Sequence, residues 1–512
     1  MQKRLLRVLS LVLLLASFAF ADQAAISGRI HFEVTVARTA STAPVSGRLI
    51  ILFTQNKPPR DGRLIQPSFI NPRSVWIAAR EVHDLQPGVP ISVYTNQISY
   101  PAPFSKAPAG DYYVQALLDV DHNAAYRLVT PGDLVSQVEF VQGLHPASSG
   151  VVAVKLRVKV PEPPPVALPA GEQHIDFVSP SLSAFWGRPI HMRAVVVLPP
   201  GYGKGDQRYP TVYWTHGFGA KLPYIEHESF NYRKLMDTGK IPGMIYVMLD
   251  ESFPTGTHEF ADSVNNGPWG HALTAELIPY LESHYRMDAR PSGRFLTGHS
   301  SGGWATLWLQ VNYPKIFGGT WSTSPDPSDF HNFTGPDIAS VPPNNAYYKP
   351  DGSPWMLVRM GNKDVVSLKD YAQQEAVLGS YGGQMSSFDY VFSPRAPDGR
   401  PMQLFDRVTG DVNPAVAAYW EQHYDIAHLV QQRWPVIGPD LKGKIHLIVG
   451  TADTFHLDES AHLLQKVLDG LGADASFTFI PGRSHFDLYK GGLTEKIAQQ
   501  MYAVARPAKN RM

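Results

Sequence analysis

A proline-rich joint at residues 161–165, with the sequence Pro-Glu-Pro-Pro-Pro, separates two parts of the chain that differ in pattern. Before the joint, residues 28–160 hold short β-branched and aromatic runs bounded by Gly, Pro, Asn and Asp, a pattern that predicts several strands. After the joint, apolar runs of strand length alternate with stretches of helical apolar spacing. Such alternation predicts a mostly parallel sheet with helices on both faces and functional sites at the carboxyl ends of its strands.

These patterns also predict the order of the domains. We expect an N-terminal all-β sandwich over residues 28–160, a stiff linker over 161–171 and an α/β domain over 172–512. Within the α/β domain, residues 324–441 form a longer connection than a simple sheet needs, which predicts a partly helical, lid-like insertion. The many aromatic side chains of this segment fit two roles, as the core of the insertion itself or as a surface that stacks on a sugar or phenolic ring.

The first residues have the pattern of an export signal. Three basic residues at positions 3, 4 and 7 precede an apolar run over residues 8–20, which ends in the sequence Ala-Phe-Ala at 19–21. This run is shorter than the ~20 residues that a membrane-spanning helix needs. We therefore expect residues 1–21 to be a cleaved signal peptide, and the mature protein to be periplasmic or secreted with no membrane span.

Composition excludes several classes of function. The chain has 512 residues, 45 basic and 45 acidic side chains, and no cysteine. Because nucleic-acid binding needs a concentrated excess of Lys and Arg, this charge balance argues against a nucleic-acid partner. The absence of cysteine excludes disulfides, a thiol nucleophile and Cys-ligated metal sites. Any nucleophile must therefore be an oxygen or a nitrogen.

The segment Gly298-His299-Ser300-Ser301-Gly302 has the pattern of a nucleophile elbow. It follows a predicted strand at 294–297 and leads into a helical run at 304–311, which is the context that a G-x-S-x-G motif requires. Small residues flank the serine because the turn is strained and its backbone approaches neighbouring elements closely. We predict Ser300 as the nucleophile. Ser301 is a poorer candidate because it lacks the flanking pattern, and a plain Ser/Gly loop is the alternative.

A serine nucleophile needs a base and an orienting acid, and both follow in the order expected for this kind of site. Asp453 follows a predicted strand at 446–449, and His485 follows another at 477–480. We predict His485 as the base and Asp453 as the acid. Asp458 stays open as the alternative acid because it lies only five positions further along.

The tetrahedral intermediate of acyl transfer needs two backbone N–H donors. One is predicted to be the amide of Ser301, directly after the nucleophile. The other is expected in the loop that follows the predicted strand at 211–214, where a His-Gly pair lets the backbone approach the substrate oxygen. We predict the amide of Phe218 as this oxyanion-hole donor, with Gly219 as the alternative.

The sequence predicts neither a metal site nor a cofactor. No H-E-x-x-H motif is present. The segment that starts at Asp119 resembles the opening of a calcium loop, but Ala124 stands where the loop needs glycine and Thr130 where it needs a bidentate Glu. A tight turn is the favoured interpretation there, with a low-affinity metal site as the alternative.

A further loop, after the predicted strand at 244–249, is expected to face the cleft. It is dense in side chains that can hydrogen-bond a polyhydroxylated or phenolic substrate. His258 and Trp269 are the two candidates for substrate binding, and ordinary loop packing is the alternative for both.

The chain from about His174 to Arg506 resembles the "Putative esterase" family of α/β hydrolases, which includes feruloyl esterases, enterochelin esterases, S-formylglutathione hydrolase and the antigen 85 mycolyltransferases. The resemblance lies in the segments Val197-Leu198-Pro199-Pro200-Gly201-Tyr202, Tyr209-Pro210, His216-Gly217, Glu276-Leu277-Ile278-Pro279-Tyr280-Leu281-Glu282, Gly298-His299-Ser300-Ser301-Gly302, Gly450-Thr451-Ala452-Asp453 and Gly482-Arg483-Ser484-His485. It implies an α/β-hydrolase fold with Ser300 as nucleophile, Asp453 as acid and His485 as base. The insertion and the N-terminal domain depart from the simple family pattern.

Together these features predict an exported serine carboxylic ester hydrolase that works through an acyl-enzyme. The resemblance implies acyl or feruloyl esters of carbohydrate, so we expect a small-molecule or glycan-linked ester as substrate. Two alternatives remain: an acyltransferase with a sugar acceptor, and a non-catalytic glycan-binding protein with an inert hydrolase domain. The sequence does not determine the oligomeric state or the acyl and alcohol groups.

Overall fold

The computed structural model describes residues 30–58, 64–148, 150–164 and 166–507. The predicted signal peptide, residues 1–21, lies outside the described residues. The chain divides into two compact units, one of Met1–Pro163 with Gln373–Ser380 and the other of Pro164–Ala372 with Tyr381–Met512. No helix in the described ranges is both long enough and apolar enough to cross a membrane.

The first unit is built on a single sheet of nine strands, in which most pairs are antiparallel. Its strands are β1 Ile30–Val36, β2 Val45–Thr54, β3 Trp76–Leu85, β4 Ile91–Tyr94, β5 Ser99–Tyr100, β6 Gly110–Asp119, β7 Leu134–Ser136, β8 Glu139–Leu144 and β9 Gly150–Lys159. Their order is β4-β1-β9-β7-β6-β2-β3-β5, and β8 pairs with β6. The pair β1 and β9 is parallel, which the sequence pattern did not predict.

This sheet folds over on itself to enclose a core. Phe32 in β1 and Phe53 in β2 are fully buried, and their rings stack with centroids 5.7 Å apart. Three strands separate β1 from β2 in the sheet order, so this contact joins two layers and not two neighbours. Phe104 packs against both rings, with its centroid 3.9 Å from that of Phe53 and 6.3 Å from that of Phe32. The two layers therefore pack face to face, as predicted for a sandwich. Strand pairing is nevertheless continuous between the layers, because β7 pairs with both β9 and β6.

The second unit contains an eight-stranded sheet and three two-stranded ribbons. Its strands are β10 Glu172–Val178, β11 His191–Val197, β12 Thr211–Thr215, β13 Ile245–Leu249, β14 Ser252–Phe253, β15 Gly256–Thr257, β16 Asp262–Ser263, β17 Gly267–Pro268, β18 Arg294–His299, β19 Gly319–Thr323, β20 Met356–Met360, β21 Lys363–Ser367, β22 Ile445–Gly450 and β23 Ala475–Ile480. The large sheet has the order β10-β11-β13-β12-β18-β19-β22-β23. Both pairs that β11 makes are antiparallel, and the pairs from β13 to β23 are parallel.

Helices cover both faces of this sheet. The α-helices in the described ranges are α1 Pro180–Trp186, α2 Leu222–Asp237, α3 Trp269–His271, α4 Ile278–His284, α5 Ser301–Asn312, α6 Leu368–Leu378, α7 Gln384–Phe392, α8 Pro414–Tyr424, α9 Ile426–Leu441, α10 Leu457–Gly470 and α11 Leu493–Ala505. A π-helical turn, Ala272–Leu277, joins α3 to α4. Alternate residues of β12 enter different cores, since Tyr213 belongs to one apolar cluster and Val212 and Trp214 to the other.

The strand order and the helices on both faces are those of an α/β hydrolase, so the predicted fold is confirmed. Parallel strands β12, β18, β19, β22 and β23 lie side by side, and their carboxyl ends therefore meet at one edge of the sheet. The loops that follow these ends carry the residues predicted to act in catalysis.

The insertion, residues 324–441, contributes aromatic side chains to the core of the second unit. Phe330, Phe392 and Trp420 are each at most 1% exposed. The ring of Phe392 has its centroid 5.1 Å from that of Trp420 and 4.7 Å from that of Trp304 in α5. These three rings are therefore part of the core, which is one of the two roles that the sequence left open. They are not available to stack on a substrate.

Candidate active site

Ser300 occupies a strained turn between β18 and α5. Its φ of 61° and ψ of −126° are unusual for a residue with a side chain, and such a conformation costs on the order of 1–3 kcal/mol. Backbone hydrogen bonds to neighbouring elements hold it there. The amide of Ser300 donates to Thr323 O at 3.0 Å, and its carbonyl accepts from Trp304 N at 3.0 Å. The strain is thus maintained by the adjacent strand β19, which carries Thr323, and by helix α5, which carries Trp304.

The glycines of the motif are explained by close backbone approach. A methyl group on Gly302 would lie 2.4 Å from both His216 O and Thr215 Oγ1, and one on Gly298 would lie 2.3 Å from Gly302 O. In the space that remains, Thr215 Oγ1 donates a hydrogen bond of 3.0 Å to Gly302 O. Any larger residue at either position would separate the elbow from the loop after β12.

His485 and Asp453 are in direct contact. His485 Nδ1 lies 3.0 Å from Asp453 Oδ2, and the two residues are 4% and 0% exposed. Burial alone would raise the pKa of Asp453, but the charge of His485 and its hydrogen bond favour the carboxylate and hold that pKa below its usual value. The pair can therefore orient the imidazole and stabilise its protonated form.

The loops that carry these two residues are joined through their backbones. The amide of Ala452 donates to Arg483 O at 3.0 Å. A methyl group on Gly450 would lie only 2.0 Å from the same carbonyl oxygen, so this approach requires glycine at the end of β22. The Gly-Thr-Ala-Asp segment thus sets the distance between the acid loop and the base loop.

Asp458, the alternative acid, lies against a different residue. Its Oδ1 accepts a hydrogen bond of 2.6 Å from Arg359 Nη2, whereas Asp453 contacts His485. Arg359 Nε also donates to the backbone carbonyl of Asp453 at 2.7 Å. Arg359 lies in β20 of the insertion, and sequence reasoning assigned it no role, because nothing in the local pattern connects residue 359 with residue 453.

A third carboxyl group, that of Asp326, lies beside the elbow. Ser300 Oγ donates a long hydrogen bond of 3.4 Å to Asp326 Oδ1, and Ser301 Oγ donates one of 2.6 Å to Asp326 Oδ2. Burial raises the pKa of Asp326 to about 6, although the two serine hydroxyls and His485 favour its ionised form. Asp326 follows the end of β19, so the rule that located Asp453 and His485 past strand ends also points to Asp326.

His299 connects the elbow with the base. Its ring centroid lies 4.3 Å from that of His485, and its Nδ1 lies 3.1 Å from Thr323 Oγ1. Desolvation, together with the neighbouring His485, lowers the pKa of His299 to about 3, so this imidazole is neutral. His299 directly precedes Ser300, so the residue next to the proposed nucleophile contacts the ring of the proposed base.

The loop that carries Phe218, one predicted oxyanion-hole donor, lies against the elbow that carries Ser301, the other. A methyl group on Gly217 would lie 2.9 Å from Ser300 Cβ, so the loop that continues to Phe218 packs directly against the elbow. Ser301 is the first residue of α5, and amides at this position have no acceptor within their own helix. His216 steadies the loop, since its Nδ1 lies 2.8 Å from Gly217 O.

His258 and Trp269 stack on each other inside the molecule. Their ring centroids are 3.6 Å apart with an interplanar angle of 6°, and they are 0% and 2% exposed. Trp269 Nε1 donates to Asn266 O at 3.0 Å, and His258 Nδ1 accepts from Phe260 N at 3.1 Å. Burial lowers the pKa of His258 to about 3. This arrangement fits the loop-packing alternative, and substrate contact by either residue stays a prediction.

Two further carboxyl groups in the same loop are buried. Glu251 and Glu259 are both 0% exposed, and among the described residues their side-chain oxygens have no hydrogen-bond partner. Burial and the nearby Asp326 raise the pKa of both groups well above the usual value. Both groups are therefore harder to ionise than an exposed glutamic acid. The sequence pattern placed them in this loop without indicating their burial.

In the first unit, the segment that resembles a calcium loop forms a turn. Asp119 accepts backbone hydrogen bonds from Asn123 at 3.1 Å and Ala124 at 2.9 Å, which is the geometry of the predicted tight turn. Carboxylate oxygens of Asp119, Asp121 and Asp133 lie within 4.8 Å of one another. Asp133, which the pattern did not indicate, thus joins the two aspartates of the turn.

The sequence also matches known proteins. A model of the family described as "Putative esterase" matches residues 185–473, more than half of the chain. "Esterase Rv1288" of Mycobacterium tuberculosis (strain ATCC 25618 / H37Rv) is 29% identical over 135 residues, which are 25% of this chain and 28% of that protein. The "Endo-1,4-beta-xylanase/feruloyl esterase" of Xylanibacter ruminicola is 30% identical over 135 residues, which are 24% of this chain and 18% of that protein. The chain thus spans less than a third of the length of either relative.

Solved structures give similar matches. The feruloyl esterase of Anaeromyces mucronatus in complex with ferulic acid is 14% identical, with a TM-score of 0.34 over 65% of this chain and 89% of that one. The S-formylglutathione hydrolase of Agrobacterium tumefaciens is 13% identical, with a TM-score of 0.36 over 64% of this chain and 94% of that one. The strand order described above defines the fold, and the family match over residues 185–473 adds the lineage. The chain belongs to the "Putative esterase" family.

Proposed function

We propose that this chain is a serine carboxylic ester hydrolase that forms an acyl-enzyme on Ser300. The observation that carries the proposal is the combination of a strained serine elbow with a buried imidazole–carboxylate pair whose neighbour His299 belongs to the same elbow. Each part has a cost in stability, since backbone strain and buried ionisable groups both destabilise a fold. Their combination is what a serine hydrolase needs.

In the first half of the reaction, His485 Nε2 takes the proton of the Ser300 hydroxyl as Oγ attacks the ester carbonyl carbon. The carbonyl oxygen then carries the negative charge, and the amides of Phe218 and Ser301 donate hydrogen bonds to it. His485 next gives its proton to the leaving alcohol, and the bond between the carbonyl carbon and that alcohol oxygen breaks. The acyl group stays on Ser300.

Water completes the cycle in the second half. His485 removes a proton from the water as it attacks the acyl-enzyme, and returns that proton to Ser300 Oγ when the acid leaves. Asp453 holds Nδ1 of the imidazole, so that Nε2 is directed at the reacting atoms, and it stabilises the imidazolium that forms in each half. No cofactor or metal is needed for this sequence of steps.

We further propose that the protein is exported and that its substrates are acyl or feruloyl esters of carbohydrate. The apolar run at residues 8–20 behind three basic residues supports export to the periplasm or the medium. The relative from Xylanibacter ruminicola is named as a feruloyl esterase, which supports feruloyl esters as substrates. An exported enzyme would reach such substrates outside the cytoplasm, where plant and microbial polysaccharides are found.

The test is turnover of the purified mature protein and of its Ser300→Ala variant on p-nitrophenyl acetate, p-nitrophenyl butyrate, methyl ferulate and an acetylated sugar. We expect the variant to lose activity by orders of magnitude on every ester that the wild type hydrolyses. Product analysis with added sugar separates hydrolysis from acyl transfer, because a transferase would produce a new sugar ester. A wild type as inactive as the variant on every ester, with and without sugar, would instead favour the inert glycan-binding alternative.

A further inference from the structure

Two phenylalanine rings flank the proposed base. The ring centroid of His485 lies 4.9 Å from that of Phe455 and 5.3 Å from that of Phe486, with edge-to-face geometry in both contacts. The two phenylalanines also meet each other, with centroids 5.8 Å apart. Phe455 follows the acid by two positions and Phe486 follows the base by one, so the loops that carry the catalytic pair also carry these rings. We call them the Phe455–Phe486 pair.

Phe486 presents most of its ring to solvent. It is 65% exposed, more than any other phenylalanine in the described ranges. Of the remaining exposed phenylalanines there, Phe69 is 43%, Phe140 55% and Phe185 39% exposed. A ring exposed to this extent adds little to the stability of the fold, because the hydrophobic contribution scales with the area that folding removes from water. Its place beside the base therefore suggests a role in binding.

The chemistry of the base determines what lies next to these rings. Because Nδ1 of His485 contacts Asp453, Nε2 is the atom that protonates the leaving oxygen. That oxygen must come within about 2.6–3.2 Å of Nε2. The group attached to the leaving oxygen is the alcohol part of the ester, and it must then lie within a few ångströms of the rings that surround His485. The acyl part lies on the other side of the carbonyl carbon.

The loop that carries Phe486 also carries charged side chains. On the same loop, Arg483 Nη1 lies 3.4 Å from Asp487 Oδ2, and Lys490 Nζ lies 3.7 Å from the same oxygen. The side chains of Arg483 and Asp487 are about one-third exposed, and that of Lys490 is 70% exposed. An apolar ring surface next to exposed hydrogen-bonding groups matches a ligand with an apolar face and a hydroxyl rim. A pyranose ring has both.

We propose that the Phe455–Phe486 pair is the subsite for the leaving alcohol and that it binds the apolar face of a sugar ring. The inference rests on the proposed function, because a leaving alcohol exists only if the chain cleaves esters. The proposal adds that the sugar binds on the side of Ser300 where His485 lies. The acyl group then occupies the opposite side of the elbow, away from Phe486.

The test compares three acetate esters that share their acyl group: methyl acetate, hexyl acetate and a monoacetylated methyl xylopyranoside. We expect Phe486→Ala to lower the ratio of kcat/KM for the sugar ester to that for methyl acetate by about fivefold to tenfold, mainly through KM. Phe486→Tyr, which keeps the ring, should restore most of the ratio. Val436→Ala removes a side chain that is 77% exposed on α9 and serves as the matched control, with an unchanged ratio.

Three results would overturn the subsite. Equal losses on the sugar ester and methyl acetate would mean that Phe486 acts only on His485. No loss on the sugar ester would mean that the ring does not contact the alcohol. A loss on hexyl acetate as large as on the sugar ester would mean that the pair binds alkyl chains. The proposed function fails separately, if the wild type hydrolyses neither these three esters nor any of p-nitrophenyl acetate, p-nitrophenyl butyrate and methyl ferulate.

Discussion

Arg359 Nε donates a hydrogen bond of 2.7 Å to the backbone carbonyl of Asp453, so a residue of the insertion holds the loop that carries the proposed acid. The amide of Arg359 adds a bond of 2.8 Å to Thr454 O, and its Nη2 binds Asp458. Two of these contacts thus hold the backbone at Asp453 and Thr454, and the third holds the side chain of Asp458. In this respect the insertion is part of the framework that positions the proposed acid.

Removal of the Arg359 side chain should lower activity, because Asp453 would no longer be held in place. We expect Arg359→Ala to reduce kcat by about tenfold or more with a smaller effect on KM, because misplacement of a catalytic group by about 1 Å costs up to a hundredfold. Asp458→Asn, which removes only one partner of Arg359, is the matched control and should cost less. The measurement is steady-state kinetics on one ester across pH 5–9. An unchanged kcat in Arg359→Ala would show that the acid loop does not depend on the insertion.

The two candidate acids should separate clearly in kinetics. Asp453→Asn keeps the shape of the side chain but cannot stabilise the imidazolium, so kcat should fall by about a thousandfold or more. Asp458→Asn should cost at most about tenfold, because Asp458 contacts Arg359 and not His485. A larger loss in Asp458→Asn than in Asp453→Asn would reverse the assignment.

Asp326 should make stability depend on pH. Because burial raises its pKa to about 6, the folded protein retains a proton that the unfolded chain has released at the same pH. The stabilising contribution of this group is full below the unfolded pKa and is lost as the pH rises through about 6. Asparagine cannot ionise. The free energy of unfolding of Asp326→Asn, relative to wild type, should therefore rise by about 2–3 kcal/mol between pH 4 and pH 8.

Urea unfolding of both proteins at the two pH values measures this difference. The slope of the unfolding free energy against denaturant should be the same for both proteins, so that the midpoints report stability alone. A constant difference between variant and wild type across the range would mean that Asp326 titrates at its ordinary value in the folded protein.

The stacked pair of His258 and Trp269 should matter more for stability than for substrate binding. Both rings are buried, so we expect Trp269→Ala to lower the free energy of unfolding by about 3–5 kcal/mol. Trp269→Phe keeps part of the stack and should cost less, with KM within about twofold of wild type. Thermal unfolding measures the loss of stability, and steady-state kinetics on the same preparations measure KM. A raised KM at unchanged stability would instead support the substrate contact predicted from the sequence.

Much of the site could be predicted because it obeys local rules. The elbow combines a strand, a G-x-S-x-G turn and a helix within 15 residues, from Arg294 to Trp308, and Asp453 and His485 each follow a strand end. The sequence did not predict β10 and β19 of the large sheet. Apolar runs predicted its strands β12, β13, β18, β22 and β23, because strands of a buried parallel sheet are apolar along their length. Such features need only neighbouring residues to be recognised.

The residues that sequence reasoning missed act across large separations. Arg359 reaches Asp453 over 94 positions, and Ser301 reaches Asp326 over 25. Burial was equally hard to foresee. Glu251, Glu259 and His258 lie in a loop that was expected to face the cleft with its polar side chains. All three are fully buried, because the packing that encloses them comes from other parts of the chain. In the first unit, the parallel pair of β1 with β9 joins strands about 120 residues apart.

The central claim is that Ser300 carries the acyl group during turnover. Intact-mass spectrometry after rapid mixing with p-nitrophenyl butyrate, followed by peptide mapping, measures this directly. We expect a mass increase of one butyryl group on the peptide that contains Ser300, absent in Ser300→Ala and slower to form in Asp453→Asn. Turnover without any adduct on Ser300, or an adduct on another residue that persists in Ser300→Ala, would contradict the account.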